Sequence, residues 1–477
     1  MTPGANDLCV FAVKRGIIEK RIDINYYLPK YMELIEKLQT RYGEKLTTIG
    51  KIADVICGPF GSAIKNTDYQ ESGIPLIRIT NISRDGYMDY SDVVYIPEEL
   101  GNSLPRTQVS VGDIVVSQRG SLGQCAVVDD RYEKLNISAN IIAIKNIQGI
   151  SVGFVHDYIL STIGQTMLER NTSGQVQQKI TTQDIADLLI PTDCNERDLC
   201  RIINDSYEKC FEKRRRAGIL LGDKQTYVLS KLRMGKKIAV PKDEIVYITK
   251  AVDLQGRIDA DYYSPKFSQF RKDIERSGWP VVTIEKLCTR IITGFAAGKQ
   301  DQAEDLPAEQ RVAQLRPFSI TPEGELSFKI QKYVPKERLK PEDYCQKGEV
   351  IFNNTNSPDW VGKTTVFDQD VLCATSNHMT RITVKDGVNP YYVAAFFNVL
   401  LSIGYWKLLC TNFNNQAGVN IETLKKVRIP LPEINVQNEI ASEIIRRRTQ
   451  ANQLRQEAAK EWTKAKAQFE RELLGES

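Results

Sequence analysis

Short apolar runs alternate with polar turns along most of the chain. Residues 75–80, 113–117, 140–144 and 378–383 are rich in β-branched side chains and are bounded by turn-forming Gly, Asn and Asp residues. This pattern is typical of short strands joined by turns. It predicts globular regions of mixed α/β structure with many irregular loops.

Two longer segments, residues 195–232 and 434–474, follow a helical pattern instead. Neither contains an internal proline, so each can form a helix about 60 Å long at 1.5 Å per residue. Apolar side chains recur in both at steps of three, four or seven residues. They are Leu199, Ile203, Cys210, Ala217, Leu221 and Val228 in the first segment and Ile440, Ile444, Ala451, Leu454, Ala458, Trp462, Ala465, Phe469 and Leu473 in the second.

One narrow apolar seam on a long charged helix requires a partner helix. The simplest pairing joins the two long helices to each other in antiparallel orientation, so that they hold the globular regions apart. The alternative is that each helix packs only on its own domain. A heptad-like seam with charged flanks favours the coiled-coil pairing.

The chain also contains an internal repeat of long period. Residues 21–31 (RIDINYYLPKY) match residues 257–267 (RIDADYYSPKF), which is an offset of 236 positions. The same offset aligns residues 9–11 with 245–247, Gly58 with Gly294, and residues 111–115 with 347–351. Beyond these segments the register drifts by a few residues, as loop insertions would cause.

Each copy shows the same order of elements. A short strand (residues 9–11 or 245–247) precedes a helix that starts near Pro29 or Pro265, where proline suits the first turn. Each copy then closes with an Ile-Pro pair before a long helix. The sequence therefore predicts an α+β protein with two similar globular domains, at residues 1–192 and 236–432, and two spacer helices, at residues 193–235 and 433–477.

Composition narrows the possible partners and compartments. The 64 basic against 60 acidic residues give a net charge of only +4, so any nucleic-acid surface must be local. Ten cysteines without a Cys-x-x-Cys pair, and only two histidines, argue against structural zinc and for reduced thiols in a cytoplasm. No long apolar run indicates a membrane span or an export signal.

Motifs of enzymes were sought and fit poorly. Residues 389–392 (NPYY) are similar to the Asn-Pro-Pro-Tyr of amino-methyltransferases but lack the second proline, so Asn389 is interpreted as a helix start. Residues 362–364 (GKT) imitate the end of a P-loop, but Ser357 stands where the first glycine belongs. The sequence predicts no catalytic site and no bound metal or cofactor in this chain.

Several motifs, taken in order, carry a family resemblance. The closing segment, residues 429–440 (IPLPEINVQNEI), leads into the second long helix, although Val436 departs from the family's usual Glu. The motifs of the first copy are GPFGS (58–62), SGIPLIRITNI (72–82), VVYI (93–96), GDIVVSQRG (112–120) and SGQVQQKI (173–180). Together with the closing segment, these motifs resemble the target-recognition domains of specificity subunits of type I restriction-modification systems.

This resemblance implies a function in phage defence. Each target-recognition domain would read one half of a split, asymmetric site on double-stranded DNA, and the helices would set the unread gap. The same helices would dock methyltransferase subunits, two per chain, which methylate adenine at N6 with S-adenosylmethionine. Restriction subunits that use ATP and Mg²⁺ would complete a nuclease.

Side chains that can contact phosphates or base edges are the candidate DNA contacts. The two copies differ most at these positions, which predicts two different half-site sequences. For any single residue an ordinary polar loop is the alternative. The candidates are Lys65, Arg78, Asn81, Gln118, Arg119, Ser121, Gln175, Gln177, Gln178 and Lys179 in the first copy and Lys299, Arg316, Asn353, Asn354, Asn356, Trp360, Lys363, Asn412, Asn414, Asn415 and Gln416 in the second.

Two basic runs lie on the predicted helices. Arg214 and Arg215 in the first helix and Arg446 and Arg447 in the second are candidates for docking a partner subunit, although a solvated helix face is the alternative. Two other functions remain open on the sequence. One is a self-contained DNA-modifying enzyme, and the other is a scaffold or decoy that binds methyltransferase subunits without reading DNA.

Overall fold

The structure is a computed structural model of the whole chain. It describes residues 11–13, 15, 18, 23–59, 61, 63–70, 72–90, 92–119, 123–172, 179–235, 260–328, 331–413 and 416–476. The chain divides into unit 1, residues 1–212 and 457–477, and unit 2, residues 213–456. Within the described ranges no helix is both long enough and apolar enough to cross a bilayer.

Unit 1 contains a repeat of short strands and helices followed by a long helix. The predicted strands at 75–80, 113–117 and 140–144 and the helix beginning at Pro29 are confirmed within a few residues. The elements are α1 (Pro29–Tyr42), β1 (Leu46–Thr48), α2 (Ile49–Ile52), β2 (Asp54–Cys57), β3 (Ile74–Ile77), β4 (Val94–Ile96), α3 (Glu98–Asn102), β5 (Gln108–Val109), β6 (Ile114–Ser117), β7 (Cys125–Val127), β8 (Leu135–Ile137), β9 (Ile141–Lys145), α4 (Val152–Leu160), α5 (Thr162–Asn171), α6 (Thr182–Ala186), β10 (Leu189–Pro191) and the start of α7 (Glu196–Gly222).

The strands of unit 1 form three sheets, in the orders β1-β10, β2-β9-β6-β7 and β4-β3-β8-β5. The central sheet, β2-β9-β6-β7, is antiparallel and is buried on both faces. Ile114 and Val116 on one face pack with Phe154 of α4, whereas Val115 on the other face packs with Ile77 of the third sheet. Burial of both faces explains why β6 and β9 read as continuous apolar runs.

Unit 2 repeats this arrangement and adds one small sheet. After α8 (Lys224–Lys231), its sheets have the strand orders β11-β22, β12-β19-β15-β17, β14-β13-β18 and the additional β16-β21-β20. The elements are α9 (Pro265–Arg276), β11 (Val281–Thr283), α10 (Ile284–Leu287), β12 (Cys288–Thr293), β13 (Arg311–Leu315), β14 (Lys332–Pro335), β15 (Val350–Asn353), β16 (Thr355–Asn356), β17 (Thr364–Val366), β18 (Cys373–Thr375), β19 (Met379–Val384), α11 (Pro390–Ser402), α12 (Tyr405–Leu409), β20 (Thr411–Phe413), β21 (Gln416–Gly418), α13 (Ile421–Lys426), β22 (Arg428–Pro430) and α14 (Ile434–Leu474).

The turn glycines aligned by the repeat occupy equivalent and crowded positions. A Cβ atom at Gly58 would lie 2.1 Å from the backbone oxygen of Ser138, and one at Gly294 would lie 2.2 Å from that of Thr375. Only glycine lets the chain pass so close to a neighbouring carbonyl. The predicted opening strands at 9–11 and 245–247 lie outside the described residues, apart from Phe11.

An ion pair that is partly buried in unit 1 and fully buried in unit 2 is also repeated with different side chains. Asp113 lies 3.8 Å from Lys145 in unit 1, and Glu349 lies 3.5 Å from Arg381 in unit 2. Each cation also donates a hydrogen bond to a backbone carbonyl. These additional bonds satisfy donors that burial would otherwise leave unpaired.

The long helices match the predicted bounds closely. Helix α14 covers all of Ile434–Leu474, whereas the first predicted helix is divided at Asp223 into α7 and α8. An offset of 241 residues aligns the sequence of the first long helical segment with that of α14, and the apolar positions are buried in both. The aligned positions are Leu199 with Ile440, Ile203 with Ile444, Cys210 with Ala451, Ala217 with Ala458, Leu221 with Trp462, Val228 with Phe469, and Leu232 with Leu473.

Within each unit, segments of the two helices are antiparallel neighbours. In unit 1, the rings of Tyr207 and Trp462 lie 6.5 Å apart and the Cys210 thiol lies 3.1 Å from the Ala458 carbonyl oxygen. In unit 2, the side chain of Ala217 packs with that of Ala451. Most seam residues also belong to the main apolar core of their unit, so packing on the own domain and pairing of helices occur together.

Candidate nucleic-acid interface

The same backbone frame recurs where the central sheet of each unit ends. In unit 1 the amide of Gln118, just after β6, donates to the carbonyl of Asn140 (2.9 Å), and the amide of Ile180 donates to the carbonyl of Gln118 (3.0 Å). In unit 2 the amide of Asn354 donates to the carbonyl of His378 (3.0 Å), and the amide of Val419 donates to the carbonyl of Asn354 (2.9 Å). We call each frame, with the loops that it joins, the loop edge of its unit.

Each loop edge brings together a strand end and the segment after a loop rich in Asn and Gln. The two amide-rich segments are residues 172–179 and 411–418, and both contain candidate DNA contacts. In unit 2 the second loop forms the hairpin β20-β21, and β21 pairs with β16. The frame therefore holds the residue that follows each amide-rich segment, Ile180 or Val419, through the same kind of backbone bond.

The side chains at the centre of the frame point inward. Gln118 is 2% exposed and its amide donates to the Cys57 sulfur, and Asn354 is 6% exposed and donates to Thr380 Oγ1 at 2.9 Å. Their neighbour Asn353 is fully buried. These three predicted base contacts act here as internal braces, and their contact with DNA remains a prediction.

Two further candidates are also buried. Asn81 accepts a hydrogen bond from the Arg78 amide at 2.9 Å and donates one to the Asp89 carbonyl at 2.9 Å, which closes the turn after β3. Lys363 is 7% exposed and its ammonium donates to the carbonyls of Pro317 and Ile320. Hydrogen bonds of this kind satisfy buried polar groups, and contact of Asn81 and Lys363 with DNA remains a prediction.

Several other candidates are exposed or half-buried. In unit 1 the side chains of Lys65 and Arg119 are exposed and Lys179 is half-buried; in unit 2 Gln416 is exposed and Asn356 is half-buried. Arg119 follows the frame residue Gln118 directly and occupies the position that Thr355 has in unit 2. One loop edge therefore presents a guanidinium where the other presents a hydroxyl.

Two candidate arginines, one just after β3 and one just after β13, already have side-chain partners within their unit. The Arg78 guanidinium lies 2.8 Å from the Asp92 carboxylate and stacks near the ring of Tyr69. Arg316 donates to the side chain of Gln314 at 3.1 Å. Both guanidiniums keep further donors, so both remain candidates for phosphate or base contact.

The remaining predicted contacts fall on residues whose side chains the structure does not describe. Ser121, Gln175, Gln177, Gln178, Asn414 and Asn415 lie outside the described residues, and the side chains of Lys299 and Asn412 are likewise not described.

Each unit has a cavity beside its loop edge. The cavity in unit 1 has a volume of about 360 Å³ and is lined by Tyr69, Arg78 and Asn140 among others. The cavity in unit 2 has a volume of about 400 Å³ and is lined by Thr355 and Asn377 among others. Sequence reasoning missed Asn140 and Asn377, although an Asn at the start of the predicted strand 140–144 and another just before the predicted strand 378–383 were usable signals for a polar turn.

Trp360 lies elsewhere than its sequence neighbours suggest. Its side chain is 43% exposed and lines a third cavity, together with residues of α8, α11 and α14. It does not line the cavity at the loop edge of unit 2.

The candidate docking arginines of α14 are organised by one carboxylate. Arg446 is exposed and donates two hydrogen bonds to Glu443, at 2.7 and 2.9 Å, and Arg447 donates a third at 2.7 Å. These hydrogen bonds, that of Arg446 foremost, lower the pKa of Glu443 to about 2. On α7, Arg214 is half-buried and Arg215 is exposed.

No cluster of His, Cys, Asp or Glu able to hold a metal occurs in the part of the chain that the structure describes. The nine cysteines within that part form no disulfide.

Comparison with known proteins identifies the class of the second repeat. Residues 323–458 match the family described as the type I restriction modification DNA specificity domain. This match confirms, for residues 323–458, the resemblance recognised from the motifs. A putative type I restriction enzyme MjaX specificity subunit of Methanocaldococcus jannaschii is 26% identical over 111 residues, covering 22% of this chain and 26% of that protein. The chain thus matches about a quarter of the length of this curated relative.

Solved structures resemble most of the chain at low identity. The HsdS subunit from Thermoanaerobacter tengcongensis is 15% identical, with a TM-score of 0.32 and coverage of 91% of this chain and 97% of that chain. The type I S subunit from M. genitalium is 10% identical, with a TM-score of 0.41 and coverage of 90% and 95%. A chain described under complex assembly and conformational transition of the type I R-M system is 15% identical, with a TM-score of 0.43 and coverage of 91% and 98%. With TM-scores below 0.5, these likenesses do not establish the function of this chain.

Proposed function

We propose that this chain is the DNA sequence-recognition subunit of a type I restriction-modification complex. In this proposal each unit reads one half of a bipartite, asymmetric site through its loop edge. The observation that carries the proposal is the repeated frame at Gln118 and Asn354, because residues 323–458 match a DNA specificity domain and unit 1 repeats the same backbone frame.

The chemistry of the loop edges supports readout of two different half-sites. Arg119 offers the bidentate fork that suits guanine in the major groove, whereas Thr355 at the equivalent position cannot make that contact. Exposed Lys65 and half-buried Lys179 would neutralise phosphates beside the first half-site. In unit 2, Gln416 offers an amide that suits adenine.

The long helices would dock the partner subunits and set the spacing between half-sites. Two methyltransferase subunits per chain would supply S-adenosylmethionine chemistry, and restriction subunits would supply ATP- and Mg²⁺-dependent cleavage. Arg214, Arg215, Arg446 and Arg447 are the docking candidates. The cluster at Glu443 supports this role for α14, since it holds the Arg446 guanidinium in a defined orientation at the surface.

Reconstitution with methyltransferase subunits tests the proposal. The complex is expected to select a split sequence from random oligonucleotides, and to methylate adenine in both halves with S-adenosylmethionine. The chain alone, given DNA, S-adenosylmethionine and Mg²⁺, is expected to show no turnover. Turnover by the chain alone would point to a self-contained enzyme, and a complex without sequence preference would point to a scaffold.

A further inference from the structure

A cavity of about 410 Å³ opens in unit 2, away from its loop edge. Helices α8, α11 and α14 and the loops around Glu323 and Trp360 enclose it, and Leu221, Val228 and Ile444 give it apolar walls. We call it the helix cavity. Its volume lies at the lower end of the range of pockets that hold a small organic group.

Two buried cations face the helix cavity. Lys224 is 7% exposed, and its ammonium, which carries three donors, makes one hydrogen bond, to the Glu323 carbonyl at 2.8 Å. The Nε of Arg448 is buried without a hydrogen-bond partner. Burial lowers the pKa of both groups, that of Lys224 to about 8. A buried donor without an acceptor costs free energy that a ligand with acceptor oxygens would recover.

The carboxylates beside the helix cavity already have other partners. Glu323 pairs with Arg455 at 3.2 Å, and Asp359 pairs with Lys407 at 3.0 Å. Glu325 accepts a hydrogen bond from Asn452 at 3.0 Å. Among the residues that the structure describes, no carboxylate lies within ion-pair distance of Lys224 or Arg448. The charges of Glu323 and Glu325 raise the pKa of Lys224, and those of Glu325 and Asp368 raise the pKa of Arg448, but burial outweighs them and lowers both. An anion bound in the cavity would therefore stabilise both cations.

The equivalent place in unit 1 is filled by aromatic rings. The hairpin turn at Gly86 corresponds to that at Gly324, since Ser83 and Thr321 make the same backbone bonds across them. Tyr87 of this hairpin packs on Tyr207 of α7 with ring centroids 6.2 Å apart, and Tyr207 corresponds to Arg448 in the helix alignment. Trp462, 6.5 Å from Tyr207, corresponds to Leu221. Unit 2 has smaller or charged side chains at these positions, so a space stays open there. The equivalent space within unit 1 is filled by its own aromatic rings.

We propose that the helix cavity is a docking site for a segment of the methyltransferase subunit that presents an aromatic side chain next to a carboxylate. The aromatic group would occupy the apolar space, and the carboxylate would accept hydrogen bonds from Lys224 and Arg448. The identity of the partner rests on the proposed function. A DNA phosphate fits less well. It would lose its water on entering the cavity to reach the two buried cations, and the apolar helix walls would offer no contacts to the adjoining phosphates of the DNA strand.

The chain alone provides the first test, with 3-phenylpropionate as the probe and its neutral amide as the control ligand. Isothermal titration calorimetry is expected to show carboxylate binding at least about tenfold tighter than amide binding. Arg448→Met and Lys224→Met are each expected to weaken it about fivefold or more, whereas Arg428→Met, at a surface ion pair with Glu275, leaves it unchanged. Affinity should fall as the pH rises through about 8, where Lys224 loses its proton. Equal binding of acid and amide, or no binding of either, overturns the proposal.

The assembled complex provides the second test. Ser402→Trp places an indole in the helix cavity and keeps both cations, so it is expected to weaken binding of the methyltransferase subunit about tenfold or more. Unfolding of the variant is followed in parallel to show that it folds. If Ser402→Trp and Arg448→Met both bind the methyltransferase subunit as tightly as the parent chain, the docking proposal is overturned. Site-specific methylation by the complex would still support the proposed function. Displacement of 3-phenylpropionate by duplex DNA would assign the cavity to DNA and also overturn it. If no methyltransferase subunit binds the parent chain, the proposed function fails instead, and the docking assignment fails with it.

Discussion

The hairpin that follows β3 in unit 1, and its counterpart after β13 in unit 2, contact the long helices through different chemistry. In unit 1, Tyr87 packs its ring against Tyr207 and Phe211, at 6.2 and 6.0 Å. In unit 2, the equivalent Glu325 makes a hydrogen bond to Asn452 and lies near Arg448. The backbone turns are the same, so the contact itself does not depend on the kind of side chain that makes it.

The loop edges show the same division between frame and contact. Backbone bonds at Gln118 and Asn354 are equivalent, and both side chains are buried, while the next residue is Arg119 in one unit and Thr355 in the other. At the loop edges the shared geometry therefore resides in the backbone frame and the buried side chains beside it, and the side chain that follows the frame differs. Such a division lets two domains keep one fold and bind different ligands.

The largest expected effect breaks the shared frame. Gly58→Val and Gly294→Val each force a side chain against a carbonyl oxygen, and each is expected to destabilise its unit by more than about 3 kcal/mol. Urea unfolding measures this. Gly218→Ala, on the exposed face of α7 with open space around it, is the control and is expected to stabilise by about 0.5–1 kcal/mol. Parental stability of both valine variants would show that the frame tolerates a Cβ.

A smaller effect separates the aromatic contact from its charged counterpart. Tyr207→Ala removes a ring from the cluster in unit 1 and is expected to cost about 2 kcal/mol. Arg448→Met removes an incompletely paired buried cation from unit 2 and is expected to be neutral or to stabilise by up to about 1 kcal/mol. Thermal or urea unfolding compares the two. Equal losses would mean that both contacts depend on their native side chains.

The loop edges are distinguished by DNA binding. Arg119→Ala is expected to weaken binding of the complete complex to its site about tenfold, with relaxed selection in one half-site only. Fluorescence anisotropy at constant salt and repeated selection from random oligonucleotides measure this. Thr355→Ala is the matched control and is expected to change affinity about twofold or less. Weakening without any change in base preference would assign Arg119 to phosphate contact alone.

The smallest expected effect concerns the docking arginines. The pKa of Glu443 is lowered to about 2, so its pairing stabilises unit 2 above the usual glutamate pKa, near 4.3, and is lost as the pH falls toward 2. Solvent screening limits the contribution to less than about 1 kcal/mol. Unfolding of the parent and of Glu443→Gln between pH 2 and about 6 measures this. Parallel pH profiles for the two proteins would contradict it.

Much of the fold was predictable from the sequence, and less of the candidate site. The strands at β6, β9 and β19, the helix start at Pro390 capped by Asn389, and the buried seam of α14 follow local patterns. The burial of Gln118, Asn354 and Lys363 does not. A polar residue beside a glycine-rich turn has the same local pattern whether it points to solvent or braces the turn from inside.

The sequence by itself determined the repeat, the secondary structure and the apolar seams, because these depend on periodicity and on a few residues such as Gly58 and Gly294 that their backbone positions require. Only the tertiary structure decided which polar side chains face solvent and which space is left unfilled. The helix cavity exists because Arg448 and Leu221, far apart along the chain, stand where Tyr207 and Trp462 stand in the other unit. Burial and packing depend on such distant neighbours, and no local pattern of residues specifies them.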